Sequence, residues 1–68
     1  MSSTEIAADI AARIKTGEYP PGSRLPSYAQ LREIYAPVSS ATIARVIRDL
    51  RIQGTVVGSP GRGVYVPE

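Results

Sequence analysis

One stretch constrains this chain more than any other. Residues 38–54 have the form of a single capped amphipathic helix, with Ser39 as N-cap, Gly54 as the residue past the C-cap, and a body over 39–53. At about 100° per residue, Ile43, Val46, Ile47 and Leu50 fall on one side, and Ala41, Arg45 and Arg48 fall nearly opposite. A helix of this kind cannot stand alone. Its apolar side requires other elements to cover it, and its other side presents guanidinium groups to solvent or to a partner.

Those other elements must come from a chain of 68 residues, so the expectation is a single domain over 1–68 with one small core. Cysteine and histidine are both absent, which removes disulfides, thiolate nucleophiles, zinc fingers and the commonest general base. The carboxylates form no paired set, so no enzyme, metal site or cofactor is expected. No apolar run approaches the ~20 residues of a membrane span, and the N-terminus lacks the basic-then-apolar pattern of a signal peptide. The expected setting is a reducing cytoplasm. The net charge of +2 is unevenly placed: residues 1–37 sum to zero, while Arg45, Arg48, Arg51 and Arg62 face only Asp49 and Glu68 in residues 38–68. All four of those cations are arginines, suited to bidentate contacts with phosphate or guanine.

The first covering element is written at the N-terminus. Ser2 to Glu5 fits a capping box, Ile6, Ile10 and Ile14 form a stripe, and Gly17 follows as a C′ residue, which predicts a helix over about 3–16. Glu18 to Pro26 carries three prolines and a glycine in nine residues, so it is an ordered connector. Tyr19 and Leu25 are expected to dock on the core, and Arg24-Leu25 to add a very short strand to a sheet edge. Ser27 to Gln30 is a second capping box, and Leu31, Ile34 and Tyr35 supply the expected buried side of a short second helix. Pro37 disfavours helical geometry at Ala36 and stops it. Val38 then packs inward before Ser39 opens the third helix. Two helices separated by so short a turn, the second with an exposed basic face, describe a helix-turn-helix.

After Gly54, Thr55-Val56-Val57 and Val64-Tyr65-Val66 flank a turn cluster over 58–63, which is the pattern of a hairpin. Its loop has almost no side-chain bulk apart from Arg62, so the backbone of Gly61 and Gly63 can approach another surface. The expected fold class is therefore mainly α with a small β-hairpin, a winged helix-turn-helix of three helices plus a wing.

With Pro20-Pro21-Gly22-Ser23-Arg24-Leu25-Pro26-Ser27, then Leu31, Tyr35, Val38-Ser39, Thr42, Arg45, Leu50, Gly54 and Val56, and the closing Gly61-Arg62-Gly63-Val64-Tyr65-Val66, the sequence resembles the GntR family of bacterial transcription regulators. The resemblance covers nearly the whole chain. It implies a winged helix-turn-helix that sets its third helix in the DNA major groove and its wing near the minor groove, and a sequence-specific regulator of transcription, as a repressor. The positions expected at double-stranded DNA are Ser27 and Tyr28 at the start of the second helix, Ser39, Ser40, Ala41, Thr42, Ala44, Arg45 and Arg48 on the third, and Gly61, Arg62 and Gly63 in the wing. Ser40, Ala41, Thr42, Ala44 and Arg45 would lie near base edges. Ser27 and Ser39 would offer helix amides to phosphates, with Arg48 and Arg62 adding charge.

The chain departs from the family at several of these places. Ala29 stands where the family often has a DNA-contacting arginine, Ser40 and Ala44 replace two arginines of the third helix, and the turn before Val38 is one residue longer than usual. The family's base preference therefore does not transfer. Family members normally continue into a larger C-terminal domain that binds a small molecule and dimerises, so the chain reads either as a stand-alone domain or as part of a longer regulator. It is expected to be mostly monomeric alone and paired on an inverted-repeat operator, or through such a domain. Two other readings share the fold: a protein-interaction module, supported by Ile52 on the side of Arg45 and Arg48, where a partner or the chain's own C-terminal tail would cover it, and an architectural DNA-bending or excision factor. For Thr42, a hydroxyl bonded to its own helix backbone is the structural alternative to a base contact.

Overall fold

A computed structural model describes all residues except Pro60, so that one position of the expected 58–63 loop lies outside the described residues. Helix α1 spans Ser3–Lys15, α2 Tyr28–Ile34 and α3 Ser40–Ile52, followed by strands β1, Val57–Ser59, and β2, Gly63–Tyr65. The architecture is the three helices and antiparallel hairpin expected from the sequence.

Local chemistry sets the helix ends. Ser2 and Ser27 each close a reciprocal capping box, with the N-cap hydroxyl accepting the N–H of Glu5 or Gln30 and the N3 side chain accepting the cap's own N–H. The end of α3 is a full Schellman turn: the Gly54 N–H donates to the Arg51 carbonyl at 3.0 Å and the Thr55 N–H to the Leu50 carbonyl at 2.9 Å. Gly54 has φ of +77°, a conformation that costs a residue with a Cβ roughly 1–2 kcal/mol. The end of α1 has the same pair of bonds, from Gly17 to Ile14 and from Glu18 to Arg13.

Helix α3 packs against both α1 and α2, and its Ile43, Val46, Ile47 and Leu50 are all buried, as the spacing predicts. Ile6 and Ile10 of α1, Leu31 and Tyr35 from the second helix and its cap, and Leu25, Val56, Val64 and Val66 complete one cluster. Ile14, Tyr19, Tyr28 and Val38 pack partly against its edge. Ile34 departs from the expected burial, being 46% exposed. On so short a helix the inward stripe is Tyr28, Leu31 and Tyr35, at i, i+3 and i+7, and Ile34 falls outside it.

The hairpin also starts later than the sequence suggests. Thr55 and Val56 are taken up by the helix-ending turn and the core, so β1 begins at Val57, and Gly58 and Ser59 belong to the ladder as partners of Val64 and Gly63. The connector supplies a third strip. An isolated antiparallel bridge joins Arg24 to Tyr65, with the Leu25 N–H donating to Val64 O and the Val66 N–H to Ser23 O, both at 2.8 Å.

A polar cluster ties α1 to the end of α2. The Tyr35 hydroxyl donates to Asp9 Oδ2 at 2.6 Å, and Arg13 Nε donates to the same oxygen at 3.0 Å. Arg13 also bonds Glu18 Oε2 at 2.8 Å and lies over the Tyr35 ring. Burial, followed by the bond to Asp9, pushes the Tyr35 phenol well above its ordinary range, while that same bond holds the Asp9 carboxyl below its own. Among the described residues no helix is long and apolar enough to cross a membrane, and no cluster of three or more acidic side chains gathers to hold a metal ion.

Candidate nucleic-acid interface

The outer side of α3 is the best-defined part of the site. Ser40, Ala41, Ala44, Arg45 and Arg48 are exposed there, with Arg51 on the same side one turn further on. The two ion pairs found among the described residues both belong to Arg13, so Arg45, Arg48, Arg51 and Arg62 keep their charges free of carboxylates. The first turn of α3 carries no acidic residue, which leaves the positive end of its dipole uncompensated. Small side chains precede long cations along this face. A surface could approach the backbone at residues 40–44 while Arg45 and Arg48 reach past it.

Ser39 and Thr42 are tied to each other. The Ser39 hydroxyl accepts the Thr42 N–H at 3.2 Å, and the two hydroxyls are 3.0 Å apart. The Thr42 hydroxyl therefore bonds its N-cap neighbour and not the helix backbone. Ser39 acts first as a cap, and its oxygen is already engaged.

The start of α1 lies beside the start of α3, which the sequence did not indicate. Met1, Ser2 and Ser3 line a cleft of about 270 Å³ together with Ala41, Thr42 and Arg45. Only the packing of α1 across α3 places these residues together, and no local pattern encodes that crossing.

Ser27, Tyr28, Gly61 and Gly63 form a second group, around a cavity of about 350 Å³ between α2 and the hairpin. Ser27 is exposed but its oxygen caps α2, accepting the Gln30 N–H at 3.2 Å. Tyr28 is half-buried against the core, so only part of its ring is open to a partner. Gly61 and Arg62 are exposed at the turn of the hairpin, and a Cβ at Gly61 would stand in open space. Gly63 differs, because the Arg24 side chain covers it. The expected site omits Arg24, although its place next to the inward-facing Leu25 on a sheet edge is a usable signal.

Ile52 is 72% exposed, on the same side of α3 as Arg45 and Arg48. The chain's own C-terminal residues do not cover it.

The chain matches the family described as bacterial regulatory proteins, gntR family, over residues 2–66. A crystal structure of a GntR-family transcriptional regulator is similar at 36% identity and a TM-score of 0.86, covering 97% of this chain and 26% of that one. This chain thus spans about a quarter of that protein's length. A GntR family transcriptional regulator from Listeria monocytogenes is 29% identical, with a TM-score of 0.86 over 97% of this chain and 57% of its own. The DNA-binding domain of AraR, solved in complex with operator ORX1, is 28% identical, with a TM-score of 0.86 over 94% of this chain and 76% of its own. Among curated proteins, no sequence matches.

Proposed function

Because the chain belongs to the GntR family of bacterial regulatory proteins, we propose that it binds double-stranded DNA sequence-specifically and represses transcription, acting in the cytoplasm. In this reading α3 enters the major groove, with Ser40, Ala41, Thr42, Ala44 and Arg45 near base edges. Arg48, Ser39, Ser27 and Tyr28 hold the backbone, and Gly61, Arg62 and Gly63 approach the minor-groove side. The observation that carries it is the face of α3, where arginines free of carboxylates follow a first turn of small residues. Support from outside the chain comes from AraR, whose DNA-binding domain has this fold and was solved on an operator.

One α3 and one wing cover a short stretch of duplex, so a specific site calls for two copies on an inverted repeat. The chain alone is mostly monomeric, and pairing arises on the DNA or through a further domain of the kind that longer family members carry. A pool of random duplexes offered to the chain should yield an inverted repeat, occupied two to one. Placed across a promoter, that repeat should lower reporter output when the chain is present. Affinity should fall steeply with salt, and Arg48→Ala should weaken every duplex alike while flattening log K against log salt by about 0.9. Failure to retain any duplex, or a complex indifferent to salt, would overturn DNA binding. Raised reporter output would overturn repression alone.

A second reading, a protein-interaction module, is favoured by one observation, the 72% exposure of Ile52 on the arginine face. It gains ground only if the duplex pool returns nothing.

A further inference from the structure

The connector between α1 and α2 brings a cation to the root of the wing. Its backbone is bonded on both sides of Arg24 to β2 and the residue after it, the Leu25 N–H donating to Val64 O and the Val66 N–H to Ser23 O. Side chains alternate along this strip. Leu25 is buried, so Arg24 lies on the outer face, paired with the exposed Tyr65.

The Arg24 guanidinium does not trail freely into solvent. A Cβ built on Gly63 would stand 2.9 Å from Arg24 Nε and 3.2 Å from its Cζ, with Tyr65 Cε1 at 3.1 Å. The guanidinium therefore occupies the space that any side chain at position 63 would need. The bareness of Gly63 makes room for Arg24 as well as meeting a φ of +101°, whereas a Cβ at Gly61 would stand in open space. Among the described residues no carboxylate lies within ion-pair distance of Arg24. Its charge is seated, exposed and uncompensated, at the edge of the 350 Å³ cavity shared by Ser27, Tyr28, Gly61 and Gly63.

We infer that Arg24 is a further phosphate-binding residue, holding a phosphodiester of the DNA backbone over the cavity between the wing and α2. A guanidinium that packs over Gly63 stands at the edge of the cavity without an ion-pair partner, and its planar donors match phosphate oxygens. The duplex backbone is the committed ligand, because the cavity is continuous with the wing residues Gly61 and Gly63 that the proposed function brings to DNA. The inference rests on that reading, which Arg24 extends along one more stretch of backbone.

The test compares the parent chain with Arg24→Gln and Arg24→Lys on two probes, a duplex enriched from a random pool by the parent chain and an unrelated mixed-sequence duplex. Glutamine keeps most of the packing over Gly63 and removes the charge. Arg24→Gln should melt like the parent, bind both duplexes about eightfold more weakly at ~0.1 M salt, and lose about 0.9 from the slope of log K against log salt. Arg24→Lys should restore the slope. A glutamine variant on the parent's line, one shifted in affinity with the slope unchanged, or a lysine variant as shallow as glutamine would each overturn the inference while DNA binding stands. A parent chain that retains no duplex would instead sink the DNA reading, and this inference with it.

Discussion

Leu50→Ala tests whether α3 is oriented as described. Leu50 is 1% exposed in the last full turn of α3, beside Val46 and Ile47 on the face that the core covers. Its carbonyl accepts the Thr55 N–H that ends the helix. Alanine keeps that carbonyl, so the cost comes from the side chain. Truncating a buried leucine costs ~2–5 kcal/mol, depending on how far the surroundings collapse into the space left behind. At roughly 0.05–0.15 kcal/mol per residue, a chain of 68 residues has about 3–10 kcal/mol of stability to lose. The substitution should therefore remove a large part of it. For a domain of this size each kcal/mol moves the melting temperature by ~4–8 °C, so the expected drop is roughly 8–40 °C, followed by far-ultraviolet circular dichroism. Ile52→Ala is the internal comparison. At 72% exposure it should stay within about 0.5 kcal/mol of the parent. A Leu50→Ala chain that melts like the parent, or an Ile52→Ala chain that falls as far, would mean that α3 is rotated about its axis from the position described.

Arg45→Ala should relax preference at a single base pair at a cost of ~1–3 kcal/mol there, read by competition between the enriched duplex and its point variants; equal losses on specific and random DNA would make Arg45 a phosphate contact. Arg62→Ala should cost more on A·T-rich flanks, whose narrow minor groove favours an inserted arginine, than on G·C-rich flanks, and indifference to the flank would leave the wing as a backbone contact. Tyr35→Phe should flatten the dependence of stability on pH at both ends, measured by denaturant titration. The lowered Asp9 carboxyl contributes stability that is present above the ordinary carboxylate range and lost as pH falls through its folded value, and the raised Tyr35 phenol contributes stability that is present below the ordinary phenol range and lost as pH climbs past it. A variant with the parent's profile would show that the Tyr35–Asp9 bond is not formed in solution.

What was legible in the sequence was what neighbours along the chain decide. Both capping boxes and the glycine-terminated ends of α1 and α3 require only residues within six positions of one another, and each appears where the pattern put it. The thirteen-residue α3 also has enough turns for its period to separate core from surface. The seven-residue α2 does not, so the pattern places Ile34 inside and marks Tyr28 only as a contact residue, whereas Ile34 is exposed and Tyr28 also packs on the core. At the hairpin the β-branched run over 55–57 suggested one strand, but Val56 belongs to the core and only Val57 enters the ladder. The cleft between the starts of α1 and α3 and the seating of Arg24 on Gly63 are contacts between distant segments. Periodicity cannot express them, and they account for most of what the sequence left unread at the candidate interface.

The composition of the α3 face bears on how selective such an interface can be. Ser40, Ala41 and Ala44 offer short hydroxyl or methyl contacts, and the Thr42 hydroxyl lies 3.0 Å from the Ser39 oxygen, within bonding distance. Arg45 is then the one side chain of the expected base-contacting set with the donors for a bidentate contact to guanine, while alanine methyls can favour thymine methyls by apolar contact alone. Discrimination per domain should rest on few positions. On the proposed function, the cations at 24 and 48, by contrast, supply attraction that does not distinguish one sequence from another, and Arg62 adds only a preference for A·T-rich flanks. A domain built this way should bind many duplexes through its charges and separate them only weakly through base contacts. Doubling the few discriminating contacts on an inverted repeat is the physical route from that weak preference to an operator. The two copies proposed for a specific site would then follow from the poverty of base-reading side chains on α3 as much as from the symmetry of an inverted repeat.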